Sequence, residues 1–511
     1  MIKRYISIIS ALFLTLNASA QGAADALRFS QIRHEGTARS MAMGNAFTSL
    51  GGDIYSISLN PASSAIYKYS EFSFTPSFSS ENIKSDYLGN NNRENWLRPG
   101  ISSAGFATSL NIGSSIHGLR SVSFGIVINK LNNYNSRSYS AGTTNSSSWL
   151  GGLAEGLGGV FNGNLDITQS WNPFYDFPGA SWKEILAWNS NLLDPLPDSD
   201  YDYIGATENI IGGQIVMAGA VNQEFYREQK GSMNELVFNS GINFADKLFI
   251  GANIGIQSID YSDYQKYSET AVNPGLFDSG FSTFTHTYRQ TSTGMGVNLK
   301  LGVIALPVGG LRLGAAVSTP TWFFINDTWD ESINARYSDG YRSSILSPIG
   351  EYSYRVNTPF RWNLGASYVF GKFGIISVDY EGIDYSATKM LTETGHQSEF
   401  REENQYIANN FVKANILRLG GELRLADNVS LRGGYSRYDN PEKNIGYDVD
   451  YFSGGLGIRW KSSGFLDFAF QKRLSSSENF SLYNDYTNHA APIGTLDMSG
   501  WKFLMTVGFR F

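Results

Sequence analysis

The C-terminus leaves little choice of fold. Trp501, Phe503, Met505, Val507, Phe509 and Phe511 alternate with Lys502, Thr506, Gly508 and Arg510, and a period of two puts the two sets on opposite faces of a β-strand. The pattern returns far upstream. Leu417, Leu419, Leu423 and Leu425 alternate with Arg418, Glu422 and Arg424; Ile376, Val378 and Tyr380 with Ser377, Asp379 and Glu381; Leu311, Leu313, Ala315 and Val317 with Arg312, Gly314 and Ser318. Charges on the minority face suit neither a sandwich core nor lipid. They suit a transmembrane barrel, apolar outside and polar within.

Fourteen such segments begin near residues 71, 101, 120, 231, 248, 283, 311, 350, 373, 410, 428, 448, 464 and 500. An even count is usual in single-chain bacterial barrels. Every second connection is tight: Ala245-Asp246-Lys247, residues 307 to 310, Gly371-Lys372, Ala426-Asp427-Asn428 and Ser462-Ser463. The others are mostly long and polar, at 80 to 100, 132 to 230, 263 to 282, 326 to 349, 387 to 409 and 475 to 499. The expected fold is therefore all-β: a transmembrane antiparallel barrel of about fourteen strands in the outer membrane of a Gram-negative bacterium, short turns and both termini on the periplasmic side.

Composition agrees. Gly 54, Tyr 29 and Phe 33 accompany a mean hydropathy of −0.22, as girdles of aromatics around a polar lumen require. The net charge of −7 argues against a nucleic-acid partner. With no cysteine, disulfides, thiolate metal sites and a lipid anchor are excluded. Lys3 and Arg4, the apolar residues 6 to 16 and Ala18-Ser19-Ala20 read as a signal peptide over residues 1 to 20,. Later segments are too interrupted for a membrane-spanning helix.

No nucleophile elbow, phosphate loop or paired-His zinc motif is present, so no enzyme, metal or cofactor is expected. His34, His117, His286, His396 and His489 are too scattered for a local metal motif. Asp198, Asp200 and Asp202 have the spacing of a calcium loop, but Tyr203 stands where its glycine belongs,.

Residues 21 to 68 precede the first strand and do not alternate. They contain Gly36-Thr37-Ala38-Arg39-Ser40-Met41-Ala42-Met43-Gly44-Asn45-Ala46-Phe47-Thr48, then Gly51-Gly52-Asp53 and Asn60-Pro61-Ala62. This stretch resembles the N-terminus of the FadL/TodX family of outer-membrane transporters for hydrophobic compounds. Leu313-Gly314-Ala315-Ala316-Val317-Ser318-Thr319-Pro320-Thr321, the run from Thr358-Pro359-Phe360-Arg361-Trp362 to Tyr368 and Val378-Asp379-Tyr380 also resemble its strands. The resemblance implies that residues 21–68 form a hatch inside a barrel of residues 69–511, with Arg39, Met43, Gly44, Phe47, Asn60 and Pro61 as its motif. The same glycines and Asn-Pro step also serve ordinary tight turns. Arg28, Arg33, Glu35, Arg39 and Asp53 are expected to pair with lumen charges.

The longest connection, 132 to 230, holds two apolar stripes at helical spacing. Trp149, Leu150, Leu153, Leu157, Val160 and Phe161 form one; Trp182, Ile185, Leu186 and Leu193 the other, with Ser181 as an N-cap,. Either they pack on each other, or they leave an exposed groove for a hydrophobic ligand, as the resemblance implies. It also implies a sideways exit through a kinked third strand, for which Gly125 is the candidate.

The expected function is diffusive uptake of small hydrophobic molecules, fatty acids by default. Expected partners are that ligand, outer-membrane lipid and lipopolysaccharide, and the barrel assembly machinery through Phe511, for a monomer. Two readings stay open: a PorV-like barrel that escorts secreted proteins, and a receptor for haem or another planar hydrophobe.

Overall fold

The computed structural model describes residues 22–112, 118–460 and 463–511; the signal peptide, His117 and Ser462 lie outside them. The expected strands form and close. Glu71–Tyr87 (β1) and Asn90–Asn111 (β2) lead to Leu119–Asn133, resumed as Ser136–Thr144 (together β3), then Val221–Phe244 (β4), Leu248–Ala271 (β5) and Phe281–Ala305 (β6). Leu311–Ser318 continued by Trp322–Tyr337 is β7, and Gly350–Asn357 continued by Arg361–Phe370 is β8. Gly374–Asp384 (β9), Lys413–Ala426 (β10), Val429–Tyr438 (β11), Val449–Trp460 (β12), Gly464–Ser481 (β13) and Ile493–Arg510 (β14) complete the ring. Neighbours are antiparallel, and Glu71 opposite Arg510 joins β1 to β14.

The alternation places side chains as a barrel demands. On β10, Leu417, Leu419, Leu423 and Leu425 are exposed, whereas Arg418 and Glu422 are buried. On β9, Ile376, Val378 and Tyr380 face out and Asp379 and Glu381 face in. Such an apolar outer belt over a charged interior is stable only with lipid outside.

The short turns lie at the end where β1 begins and β14 finishes. One is the three-residue hairpin loop Ala245-Asp246-Lys247 between the paired Phe244 and Leu248, with Ala245 and Asp246 at φ of 54° and 57°, the hand that matches strand twist. At the opposite end several expected loops prove to be strand. Residues 80 to 100 form a hairpin turning at Leu88-Gly89, and Ser136–Thr144 pairs with β4 from Ser136↔Gln229 to Thr144↔Val221. Strand that projects beyond lipid no longer needs an apolar outer face, so its alternation fades while its ladder continues.

What remains of the longest connection folds over the outer end as a cap. Trp149–Gly156 (α1) and Trp182–Asn189 (α2) are its main helices, and the Ser181 N–H donates to Glu184 at 2.7 Å. Leu150, Leu153, Leu157, Ile185 and Leu186 are buried with Phe281, Phe284 and Tyr483 in one core, and Trp149 stacks on Phe284 at 5.5 Å. The expected groove is therefore not open. The two stripes bury each other, since an apolar face left in water costs about 25 cal/mol per Å². Of the eight candidate groove residues only Phe161, at 41%, is exposed, with Trp182 half-buried.

Candidate functional site

Residues 22–68 run inside the ring and are buried almost throughout. Their fit is set by inward-facing glycines. A Cβ on Gly302 would lie 1.9 Å from Asn60 Oδ1, on Gly314 2.2 Å from the Thr48 carbonyl oxygen, and on Gly251 2.3 Å from Pro61. Opposite them, Gly420 and Gly434 would meet the Met43 main chain within 2.5 Å. These glycines pair across strands, as Gly251↔Gly302 and Gly420↔Gly434. Backbone therefore packs on backbone with no room for a side chain.

Four of the six motif residues, Met43, Gly44, Asn60 and Pro61, face this fit. Asn60 Nδ2 donates to the Thr48 carbonyl at 2.7 Å and to Val303 on β6 at 3.2 Å, and its Oδ1 accepts from the Ala62 N–H. The Pro61 carbonyl accepts from Asn239 on β4 at 2.9 Å. Gly44, at φ 62°, makes a turn that presses on the Tyr435 and Leu419 carbonyls. Met43 and Phe47 are buried together with Leu50, Tyr55 and Leu59. Arg39 donates to Glu422 at 3.0 Å, and Arg432 links the same carboxylate to Asp467.

The other expected charge pairs divide. Glu35 is held by Lys502 of β14 and accepts from Ser102 Oγ at 2.9 Å. Arg28 instead pairs with Asp25 in its own helix, Ala23–Ser30, and lies 4.4 Å over the Tyr261 ring. Asp53 accepts from Thr37 Oγ1 at 2.8 Å, also within the segment. Arg33 uses its main chain, as described below, and its side chain lines a polar cavity of about 40 Å³ with Glu81, Gln471, Arg473 and Lys502.

The helix Ala23–Ser30 lies away from the short-turn end. Phe29 meets Tyr134 and Tyr261 edge-on at 6.3 and 6.2 Å, and Tyr261 lies well along β5 from the short-turn end. The first described residues thus sit high in the lumen. Phe511 lies at the short-turn end, where it exchanges main-chain hydrogen bonds with Ser70. The aromatic cage around Phe29 and the buried Asp25–Arg28 pair hold the helix there.

The wall is interrupted beside this segment. The β2–β3 ladder ends at Ser103↔Asn129, while β2 continues along β1 and β3 along β4. Gly125 is not the kink: it lies in regular ladder between Ala107 and Asn239, with Ile57 packed over it. The break falls at Tyr134-Asn135, beyond Asn129. The N-terminal segment supplies the missing bonds from inside, the Glu35 N–H to Lys130 O at 2.9 Å and the Arg33 N–H to Leu131 O at 2.8 Å. Between these two residues His34 is buried edge-on to Tyr55 at 5.7 Å. Burial lowers its pKa to about 3, so the ring is neutral,. Burial pulls Glu35 upward, but Lys502 and Lys130 outweigh it and hold the carboxyl below its usual range.

Sequence reasoning had Glu35 and Lys502 as charges but not as partners. No local signal joins them, and nothing in the β3 sequence marks where its ladder ends.

A closed antiparallel ring of fourteen strands, apolar outside and charged within, defines a membrane-barrel fold,. Solved structures share that fold. A Pseudomonas aeruginosa FadL homologue superposes with a TM-score of 0.57 at 13% identity, over 94% of this chain and 100% of its own. The P. putida toluene transporter TodX gives 0.52 and 13%, over 94% and 99%. No protein-family model and no curated protein matches this sequence. What is common to these chains is the FadL/TodX-type barrel fold.

Proposed function

We propose that this chain is an outer-membrane channel for small hydrophobic molecules, long-chain fatty acids being the first class to test, with residues 22–68 as its hatch. The observation that carries this reading is the strapped seam. The axis is closed by a closely packed segment, whereas among the described residues the seam between β2 and β3 is closed by the 33–35 strap and by side chains such as Asn90, which donates to the Ala141 carbonyl at 3.2 Å. An apolar solute that leaves sideways enters lipid without exposing its surface to water. Release of Glu35 from Lys502 would free the strap without ejecting the hatch. The fold shared with a toluene transporter supports the same reading. Flux of oleate and of toluene into vesicles containing the purified barrel tests it: both solutes should enter faster than into protein-free vesicles, and no excess for either overturns it.

A second reading, a PorV-like escort of secreted proteins, draws on the closed cap, which carries Tyr175, Tyr201 and Ile211 exposed on its surface. Capture of secreted proteins by the intact barrel would favour it.

A further inference from the structure

The cap carries an open cleft of about 790 Å³, within the range of small-ligand sites,. Its walls are α1, the hairpin of Glu208–Ile211 and Gln214–Met217, and the β13–β14 connection around Tyr486. The chemistry is one-sided. Glu155, Asp202 and Glu208 line the cleft, and no Lys or Arg does. Glu155 is engaged by the Thr487 N–H and Asp202 by Ser199 Oγ.

Glu208 is the exception. It is only 5% exposed, its Oε2 accepts from the Gly205 N–H at 3.1 Å, and its Oε1 has no hydrogen-bond partner. The neighbouring Tyr486 hydroxyl accepts from the Ser148 N–H, and the Tyr486 ring stacks on His489 at 4.7 Å. A buried carboxylate with no Lys or Arg beside it is costly to keep ionised, and burial pushes its pKa up against the lowering effects of the Gly205 N–H, His489 and the Tyr486 hydroxyl. A cation in the cleft would relieve that cost, with Tyr486 offering a ring face and Leu196, Ile215 and Val216 apolar surface.

We propose that this cleft binds an organic cation, an amine or quaternary ammonium carried on a small apolar body, with Glu208 as its counterion. The site stands apart from the transport reading, because binding is read without flux.

The test uses the full chain in nanodiscs, titrated with dansylcadaverine and with its N-acetylated, neutral form. The amine should bind at least tenfold more tightly than the amide. Glu208→Gln should remove that preference while leaving amide binding and thermal stability at or above the parent's. Val216→Trp, which fills the cleft and spares Glu208, should weaken both probes and decides the matter should Glu208→Gln fail to fold. Equal binding of amine and amide to the parent, or a preference that survives in Glu208→Gln, overturns the proposal.

Discussion

Arg39 Nε donates to Glu422 Oε2 at 3.0 Å across 383 positions of sequence. The pair ties the N-terminal segment to β10, and Arg432 Nε donates to the same oxygen at 2.8 Å. Removing one partner of a buried pair strands the other charge and costs about 3–5 kcal/mol; with Arg432 still in place, Arg39→Ala should fall at the low end. Chemical denaturation of the purified barrel checks this, and Arg39→Lys should recover part of the loss.

The glycine fit predicts a different failure. Gly302→Val and Gly434→Val force side chains into space held by Asn60 and the Met43 main chain, and overpacking costs about 1–3 kcal/mol. The barrel should still form, since both outer faces are untouched, but residues 22–68 should become sensitive to limited proteolysis. A Val at Gly433, where nothing lies within 4 Å of an added Cβ, should not have that effect.

Acid should loosen the strap in two stages. His34 has its pKa lowered from 6.5 to about 3, so the unfolded chain takes up this proton first and stability falls as pH drops from 6.5 towards 3, by up to about 1.4 kcal/mol per unit. Glu35 is depressed below 4.5; its contribution is present above that value and is lost as pH falls through its folded pKa. Thermal melting against pH should therefore be flatter in His34→Gln than in the parent from 6.5 down to about 3, with only the loss due to Glu35 left below 4.5.

Phe29 is buried in an apolar cluster with Tyr134, Tyr261, Phe323 and Tyr354. Phe29→Ala removes a ring caged by Tyr134 and Tyr261, a change that costs about 3–5 kcal/mol in a packed core, and it should open apolar space there. A lipophilic fluorophore should bind the variant more tightly than the parent.

How far the sequence reaches is clear from particular residues. Strand alternation is local, so Leu417 outward and Arg418 inward were legible, as were hairpin turns such as Ala245-Asp246. The cap was legible in its parts but not its packing: Leu150 and Ile185 read equally as groove or core, and burial decided for core. The seam was not legible. Whether β3 pairs with β2 at Asn129 or Tyr134 depends on closure of the whole ring and on where Glu35 lands, and Glu35 is placed by Lys502, 467 positions away.

The central claim, that solute leaves through the seam while the hatch stays in place, is tested by joining strap and wall. The chain has no cysteine, so Glu35→Cys with Ser102→Cys gives a unique pair for a short bismaleimide. In vesicles, toluene flux through the double variant should fall to the protein-free rate after cross-linking and stay at or above the parent's when each cysteine is capped separately, since Lys502 no longer holds the strap. Flux unchanged by the cross-link would contradict the account.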